Sequence, residues 1–236
     1  MKGGVRLLKK SSARAALCCA FITAELALAV LLQLLQGRAS VWCSYGAVVL
    51  ACLFALLCFE KTPRYALTQA ALLATVCADY FLVLRGAEQK FVAMLFFLVA
   101  QLCYFARLSQ SEPQKPRRIA HAVSRGALCF ITLAVTLLVL GQNADGVALI
   151  SMLYFANLVL NVIFAFALRE KPPLFAIGLL LFACCDVFVG LSLIEAYLPL
   201  AEGGFIWHLA HPGFNAAWVF YVPSQALIAL SLAKRK

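Results

Sequence analysis

The sequence predicts an all-α, polytopic membrane protein with eight transmembrane helices and with both termini in the cytoplasm. Apolar residues make up 64% of the chain and charged residues only 13%, which leaves too little polar surface to coat a water-soluble globule of 236 residues. Long apolar runs recur along the chain, with lengths near the roughly 20 residues that a helix needs to cross a bilayer. The basic residues are concentrated in alternate connecting segments, as in multi-pass membrane proteins.

Charged residues, prolines and glycines divide the chain into eight apolar runs. The predicted helices span 15–36, 41–59, 65–84, 91–108, 126–141, 147–168, 174–194 and 212–232. The first run follows a basic segment, as in a signal peptide, but it is long enough to span the membrane, so we expect it to be retained. The fifth run is short, and a start nearer Ile119 is an alternative. We therefore expect a single membrane domain, with basic tails at 1–14 and 233–236.

The distribution of basic residues orients this predicted bundle. With the N-terminus inside, only Arg38, Arg85 and Lys90 of the 20 Lys and Arg residues would lie outside. Such a bias satisfies the positive-inside rule and favours a cell-membrane protein with both ends cytoplasmic. The net charge of +10 lies in short segments beside apolar runs, where it would meet anionic lipid headgroups, so we expect no nucleic-acid partner.

Two aspartates stand inside apolar runs, each within a similar octapeptide. Asp79 lies in CADYFLVL at 77–84, and Asp186 lies in CCDVFVGL at 184–191. A carboxylate at membrane depth costs about 3 kcal/mol on insertion scales and commonly marks a functional site. No Lys or Arg is expected at membrane depth to neutralise them, since Arg107, near the end of the fourth run, is assigned to the cytoplasmic side, so each aspartate is expected to be protonated or to face water. The sequence therefore predicts a hydrated cavity lined by these acids.

Further polar side chains fall near the middle of the predicted helices or just inward of it. They are Glu25, Gln101, Asn157, Asn161 and Gln225, with Tyr154 one helical turn before Asn157. Amides in transmembrane helices often join helices through hydrogen bonds, and this remains an alternative to a binding role for each amide. Glu25 is equally consistent with a cavity wall and with a structural acid.

The two aspartate segments also suggest an internal duplication. The octapeptides are identical at four of eight positions, and in both cases the next helix carries an aromatic pair followed by a glutamine: Phe96-Phe97 before Gln101, and Phe220-Tyr221 before Gln225. Because the third and seventh predicted helices run in the same direction, the units would form a parallel repeat of four plus four helices, with a site between them.

These segments carry a family resemblance. CADYFLVL, then six residues, then FVAMLFFLVAQLCYFARL is similar to the Asp helix and the following helix of the lysoplasmalogenase-like, YhhN-type membrane proteins. IGLLLFACCDVFVG and FYVPSQALIALSL resemble the second Asp helix and the closing Tyr/Gln helix of that family. The resemblance runs from about Ala66 to the end. In this chain Ala78 replaces the family's glycine before the first aspartate, and Cys185 replaces the usual serine before the second.

The resemblance implies an eight-helix fold and hydrolysis of the vinyl-ether bond of lysoplasmalogens. The positions that match the family's functional pattern are Asp79, Gln101, Tyr104, Asp186, Tyr221 and Gln225. Vinyl-ether hydrolysis needs a protonated acid and a second group that stabilises an oxocarbenium ion, so paired carboxylates suit it. We expect Asp79 to be the general acid and Asp186 the ionised partner, with the reverse assignment left open.

The remaining site residues are expected to bind the substrate, a membrane lipid or lysolipid. They are Gln101, Tyr104, Tyr154, Asn157, Tyr221 and Gln225. No metal or other cofactor is expected: His208 and His211 could hold zinc together with an aspartate, but Pro212 and Gly213 follow directly, and histidines at the membrane interface are favoured. The alternative function is a small transporter or lipid-binding protein that uses the same carboxylates to move protons or to coordinate a substrate.

Overall fold

Nine α-helices make up the part of the chain that the computed structural model describes, which comprises residues 2–57, 62–198 and 200–233. They are α1 Lys2–Leu34, α2 Gly37–Leu57, α3 Pro63–Asp79, α4 Lys90–Ser111, α5 Lys115–Leu140, α6 Gly146–Ala167, α7 Leu174–Leu193, α8 Phe205–Ala210 and α9 Ala216–Leu230. These residues contain no β-strand. The predicted end of the second helix at 59, Lys61 and the basic residues 234–236 lie outside the described residues.

Within the described residues, seven helical segments are long and apolar enough to cross a membrane, namely α1 to α7 with α3 continued to Leu84, as expected for a multi-pass, all-helical membrane protein. The predicted eighth helix at 212–232 is shorter than expected. Its regular part, α9, has 15 residues, because the Pro212-Gly213 segment before it is not helical. The short helix α8 precedes that segment.

Two predicted helix starts are corrected by the structure. Helix α1 is already helical from Lys2, so most of the basic tail predicted at 1–14 continues the first helix. Helix α5 begins at Lys115, ahead of both predicted starts, with Pro116 in its first turn, where a missing backbone N–H leaves no hydrogen bond unmade. As a result, Arg125, which the sequence had placed in a connecting segment, lies well inside α5.

Six helices form a ring around the interior of the bundle. In order around the ring they are α2, α3, α4, α6, α7 and α9, and α9 closes it by packing against α2 and α3. Helix α1 packs on the outside of α2 and α9, and α5 packs on the outside of α6. The ring helices therefore supply the side chains that face one another in the interior, where most of the buried residues lie.

Helices α7 and α9 approach each other closely at Gly178. A Cβ added at Gly178 on α7 would lie 2.7 Å from Cγ1 of Ile228 and 3.1 Å from the carbonyl oxygen of Ser224, both on α9. Only glycine permits this approach without a shift of the backbone. The contact fixes α9, and with it the side chains that α9 projects inward.

Candidate functional site

Asp79 is the last residue of α3 and is held by a tyrosine from α9. Its side chain is buried, with a residue exposure of 2%, and its Oδ2 accepts a hydrogen bond of 2.6 Å from the hydroxyl of Tyr221. Tyr221 is itself 4% exposed. This hydrogen bond therefore joins α3 to α9 in the interior of the bundle.

Asp186 on α7 has the same kind of partner. The hydroxyl of Tyr154 on α6 donates a hydrogen bond to Oδ2 of Asp186. Tyr154 is buried, whereas Asp186 is only partly buried. The two aspartates that the sequence singled out thus form two Asp–Tyr pairs, which differ in the exposure of the aspartate residue as a whole.

An aromatic cluster connects the two pairs. The ring of Phe182, which is completely buried on α7, lies 5.3 Å from that of Tyr221 and 6.4 Å from that of Tyr154, measured between centroids. Phe97 on α4 completes the cluster, with its ring 5.5 Å from Tyr154 and 6.0 Å from Phe182. Both pairs are therefore held against one rigid apolar surface.

The helix widens directly after Asp79. Residues Tyr80–Leu84 form a π-helical turn, in which the amide of Arg85 donates to the carbonyl of Tyr80 over 3.2 Å. Such turns insert an extra residue into a helix and are frequent at functional sites. The turn changes the direction of the side chains between Asp79 and the end of the helix.

Three further predicted residues lie in the same interior without exposure to solvent. Gln101 and Tyr104 on α4 are 0% exposed, and Gln225 on α9 is 1% exposed. Nε2 of Gln101 and Oε1 of Gln225 have no hydrogen-bond partner within the described part of the chain. Buried polar atoms are almost always hydrogen-bonded, so these two atoms are suited to hold a water molecule or a polar group of a ligand.

Asn157 and Asn161 accept hydrogen bonds from Arg125, a residue expected in a cytoplasmic segment. Arg125 donates to Oδ1 of Asn157, and over 2.7 Å to Oδ1 of Asn161. The guanidinium also lies 4.1 Å from the centre of the Phe105 ring. The expectation that no basic residue lies in the spans was therefore wrong, because α5 starts earlier than predicted. Arg125 bridges α5 and α6 rather than reaching either aspartate.

A second buried arginine, Arg107 on α4, joins the start of α3 to the end of α9. Its Nη1 donates to hydroxyl oxygens of Thr68 and Ser231, each over 3.1 Å. Its Nη2 lies 3.5 Å from Oε2 of Glu170, and its guanidinium is 3.5 Å from the centre of the Phe175 ring. The pattern of basic residues predicts a cytoplasmic position for Arg107, although its place three residues after Tyr104 puts it on the same helical face.

Glu25 and the pair formed by His211 and Glu195 make no hydrogen bond to either aspartate in the described part of the chain. Glu25 on α1 is 3% exposed, and neither of its carboxylate oxygens has a hydrogen-bond partner among the described residues. His211 lies near Glu195, with 3.6 Å between Nε2 and Oε2. Within residues 2–57, 62–198 and 200–233, no three His, Cys, Asp or Glu side chains are grouped so that they could hold a metal ion.

Two cavities open at opposite ends of the bundle. One, of about 210 Å³, is lined near the Arg107 cluster by residues that include Glu170, Lys171 and Phe175. The other, a cleft of about 630 Å³, lies between the α1–α2 turn, the π-helical turn and the start of α9. Neither lining includes Asp79 or Asp186, so the hydrated chamber expected from the sequence is not one of these two spaces.

Comparison with known proteins identifies the family. The sequence model of the YhhN family matches residues 44–232, a range that contains both Asp–Tyr pairs and every helix of the ring apart from the start of α2. No curated protein and no solved structure matches the chain. Because the match covers most of the sequence, the chain belongs to the YhhN family.

Proposed function

We propose that this protein is a membrane hydrolase of the lysoplasmalogenase type, which cleaves the vinyl-ether bond of a lysolipid to a fatty aldehyde and a glycerophospho-headgroup. The observation that carries the proposal is the presence of two Asp–Tyr pairs, Asp79 with Tyr221 and Asp186 with Tyr154, on the two sides of Phe182. Membership of the YhhN family supports the same reaction class.

Asp79 acts as the general acid in this proposal. Its carboxyl group is almost completely removed from solvent, and a carboxyl group without a cationic partner favours its neutral form there. It transfers its proton to the alkene carbon that is not bonded to oxygen, and the adjacent carbon becomes part of an oxocarbenium ion. Tyr221 orients the carboxyl group through its hydrogen bond to Oδ2.

Asp186 acts as the ionised partner, and its Oδ2 accepts the hydrogen bond from the hydroxyl of Tyr154. Its negative charge stabilises the oxocarbenium ion and accepts a proton from the attacking water. Water adds to the cationic carbon, and the resulting hemiacetal collapses to the aldehyde and the free glycerol hydroxyl. Turnover leaves Asp79 ionised and Asp186 protonated, and transfer of this proton from Asp186 back to Asp79 restores the starting state, so no cofactor is consumed.

The other predicted residues have supporting roles in this mechanism. Gln101 and Gln225 would orient the attacking water or the headgroup through their unpartnered amide atoms. Tyr154 positions Asp186, and Tyr104 completes the wall of the interior. Asn157 would not contact the substrate through its amide oxygen, since this oxygen accepts a hydrogen bond from Arg125.

We further propose an eight-span topology in the cell membrane, with α9 as the last span and both termini cytoplasmic. A parallel four-plus-four repeat is supported by the pattern of neighbours: α1 packs on α2 as α5 packs on α6, and α3 packs on α4 as α7 packs on α9. A reporter fused after Lys236 is expected to report a cytoplasmic location, and an extracytoplasmic signal would contradict this topology.

The hydrolase proposal is tested by aldehyde release from a purified lysoplasmalogen. Asp79→Asn and Asp186→Asn are each expected to abolish release while the protein remains folded in the membrane, since asparagine keeps the shape but neither donates an acidic proton nor carries a charge. Glu202→Gln changes an exposed carboxylate and serves as the matched control. Full turnover in both aspartate variants would reject the mechanism.

One observation favours the alternative of a transporter. Glu25 is a buried acid that the hydrolase mechanism does not use, and such acids carry protons in transporters. Vesicles that contain the protein therefore form the second arm of the experiment. Proton or solute flux that depends on Glu25, together with no aldehyde release, would support the transporter instead of the hydrolase.

A further inference from the structure

The cleft of about 630 Å³ lies beside the Asp79–Tyr221 pair. Trp218 lines the cleft, and its ring stands edge-on to that of Tyr221 with 5.3 Å between the centroids. Val83, which also lines it, comes four residues after Asp79 within the π-helical turn. Trp218 and Tyr221 therefore connect the cleft to the carboxyl group that we propose as the acid.

The lining of the cleft combines hydrogen-bonding groups with apolar surface. Gln33, Gln36 and Asn215 supply amides, and Ser40 and Ser44 supply hydroxyls. Gln33 and Asn215 are themselves joined, since the backbone amide of Asn215 donates to Oε1 of Gln33 over 3.1 Å. This bond ties the end of α1 to the segment before α9 and holds two walls of the cleft together.

The lining carries no formal charge on any described residue. An anionic headgroup would lose hydration here without gaining a cationic partner, which is unfavourable. A zwitterionic headgroup is neutral overall, and its phosphate and hydroxyl oxygens can accept hydrogen bonds from amides and serines. The chemistry of the lining therefore favours a neutral or zwitterionic polar group.

The apolar part of the lining continues outward to the lipid-facing surface. Phe214 lines the cleft and is 58% exposed, and Trp42 on the neighbouring stretch of α2 is 63% exposed. A cleft of this volume lies within the roughly 300–1,000 Å³ range of small-molecule sites. It has room for a headgroup, while a hydrocarbon chain leaves along the exposed aromatic and aliphatic side chains.

We infer that this cleft binds the headgroup of a zwitterionic, single-chain glycerolipid and delivers it past Trp218 to the Asp79–Tyr221 pair. That the lipid has a single hydrocarbon chain rests on the proposed hydrolase function. The location of the site and its preference for an uncharged or zwitterionic headgroup rest on the cleft alone. The occupant is the substrate class of the site, and Trp218, which packs against Tyr221, lies between the bound headgroup and the Asp79–Tyr221 pair.

The binding experiment uses lysophosphatidylcholine, an ester lipid without a vinyl ether, so that it does not depend on hydrolysis. In the Asp79→Asn protein, Val41→Trp fills the cleft and is expected to weaken binding by about tenfold or more. Ala39→Trp places the same indole two residues away on an exposed position outside the lining, and is expected to leave binding unchanged. Equal affinities for the two variants would overturn the inference.

A second measurement keeps the test valid if Val41→Trp does not fold. A protein with Trp42→Phe and Trp207→Phe retains Trp218 as its only tryptophan, because the chain contains three. Lysophosphatidylcholine with a brominated chain is expected to quench this tryptophan saturably in nanodiscs, and unlabelled lysophosphatidylcholine should relieve the quenching. Lysophosphatidic acid should relieve it at least about tenfold less well, because its headgroup is anionic. Non-saturable quenching, or equal competition by the anionic lipid, would refute the assignment.

Failure of this inference and failure of the proposed function give different results. Aldehyde release that is insensitive to Val41→Trp and to Ala39→Trp alike would leave the hydrolase intact and reject the cleft. Selective lysophosphatidylcholine binding without any aldehyde release would establish the cleft as a lipid site and reject the hydrolase.

Discussion

Tyr221 on α9 and Asp79 at the end of α3 are joined by a hydrogen bond of 2.6 Å although 142 positions separate them in the chain. The bond links the first half of the sequence to its last helix, and it lies within the region that matches the YhhN family. Tyr154 and Asp186 form the corresponding pair between α6 and α7. In both cases a phenol hydroxyl fixes the carboxyl group that we propose for catalysis.

Removing only these hydroxyl groups should therefore reduce turnover. Tyr221→Phe and Tyr154→Phe keep the aromatic contacts with Phe182 but lose the hydrogen bonds, and each is expected to lower kcat by about tenfold or more with a smaller effect on KM. Tyr197→Phe is the matched control, because its hydroxyl contacts Asp145 in a connecting segment over 3.1 Å. A kcat for Tyr221→Phe equal to that of Tyr197→Phe would show that the hydroxyl does not position Asp79.

A double-mutant cycle tests the buried bridge between Arg125 and Asn157. Asn157→Leu removes an acceptor from a buried guanidinium and is expected to destabilise the protein by about 2–3 kcal/mol. Arg125→Met leaves two amide oxygens without their donor and should also destabilise it. The double variant should cost about 1–3 kcal/mol less than the sum, because neither partner is left alone. Thermal unfolding in detergent measures the three variants, and strict additivity would contradict the bridge.

The helical architecture was predictable because long apolar runs and charged breaks are strong local signals. Asp79 and Asp186 were found for the same reason, since a carboxylate inside an apolar run stands out from its neighbours. The tyrosine partners could not be assigned in this way. Tyr154 and Tyr221 look like ordinary aromatic residues in apolar helices, and only the packing of α6 on α7 and of α9 on α3 brings them to the carboxylates.

The errors also have a common physical cause. Treating each arginine as a marker of a connecting segment placed Arg107 and Arg125 outside the bundle. A long arginine side chain can be buried when its donors are satisfied, as they are here by Thr68, Ser231 and Asn161. Helix boundaries near such residues therefore depend on tertiary partners, which the sequence pattern does not show.

Glu170 is expected to stabilise the protein mainly through Arg107 rather than through Arg64. The side chain of Arg107 is 5% exposed and that of Arg64 is 43% exposed, although both contact Glu170. Glu170→Gln leaves a buried guanidinium without its carboxylate and should cost about 1.5–3 kcal/mol. Arg64→Ala removes an exposed ion pair and should cost about 1 kcal/mol or less. Thermal unfolding of both variants in detergent is the measurement, and an equal loss would show that Arg107 does not depend on Glu170.

The approach of α7 to α9 predicts opposite effects for two glycines on the same helix. Gly178→Ala places a Cβ within 3.1 Å of the Ser224 carbonyl and of the Ile228 amide nitrogen, so the backbones must separate, at a cost of about 1–3 kcal/mol. Gly190→Ala on α7 meets no atom within 4 Å and should be neutral or stabilising by up to about 1 kcal/mol, because alanine favours a helix.

The same displacement should reach the site, since α9 carries Tyr221. Gly178→Ala is therefore expected to lower both aldehyde release and the unfolding temperature. Gly190→Ala should lower neither. Ile228→Ala in the Gly178→Ala protein removes the side-chain clash at 2.7 Å but not the backbone contacts, so it should restore stability only in part. Unaltered unfolding of Gly178→Ala would show that α7 and α9 do not lie as close as the structure places them.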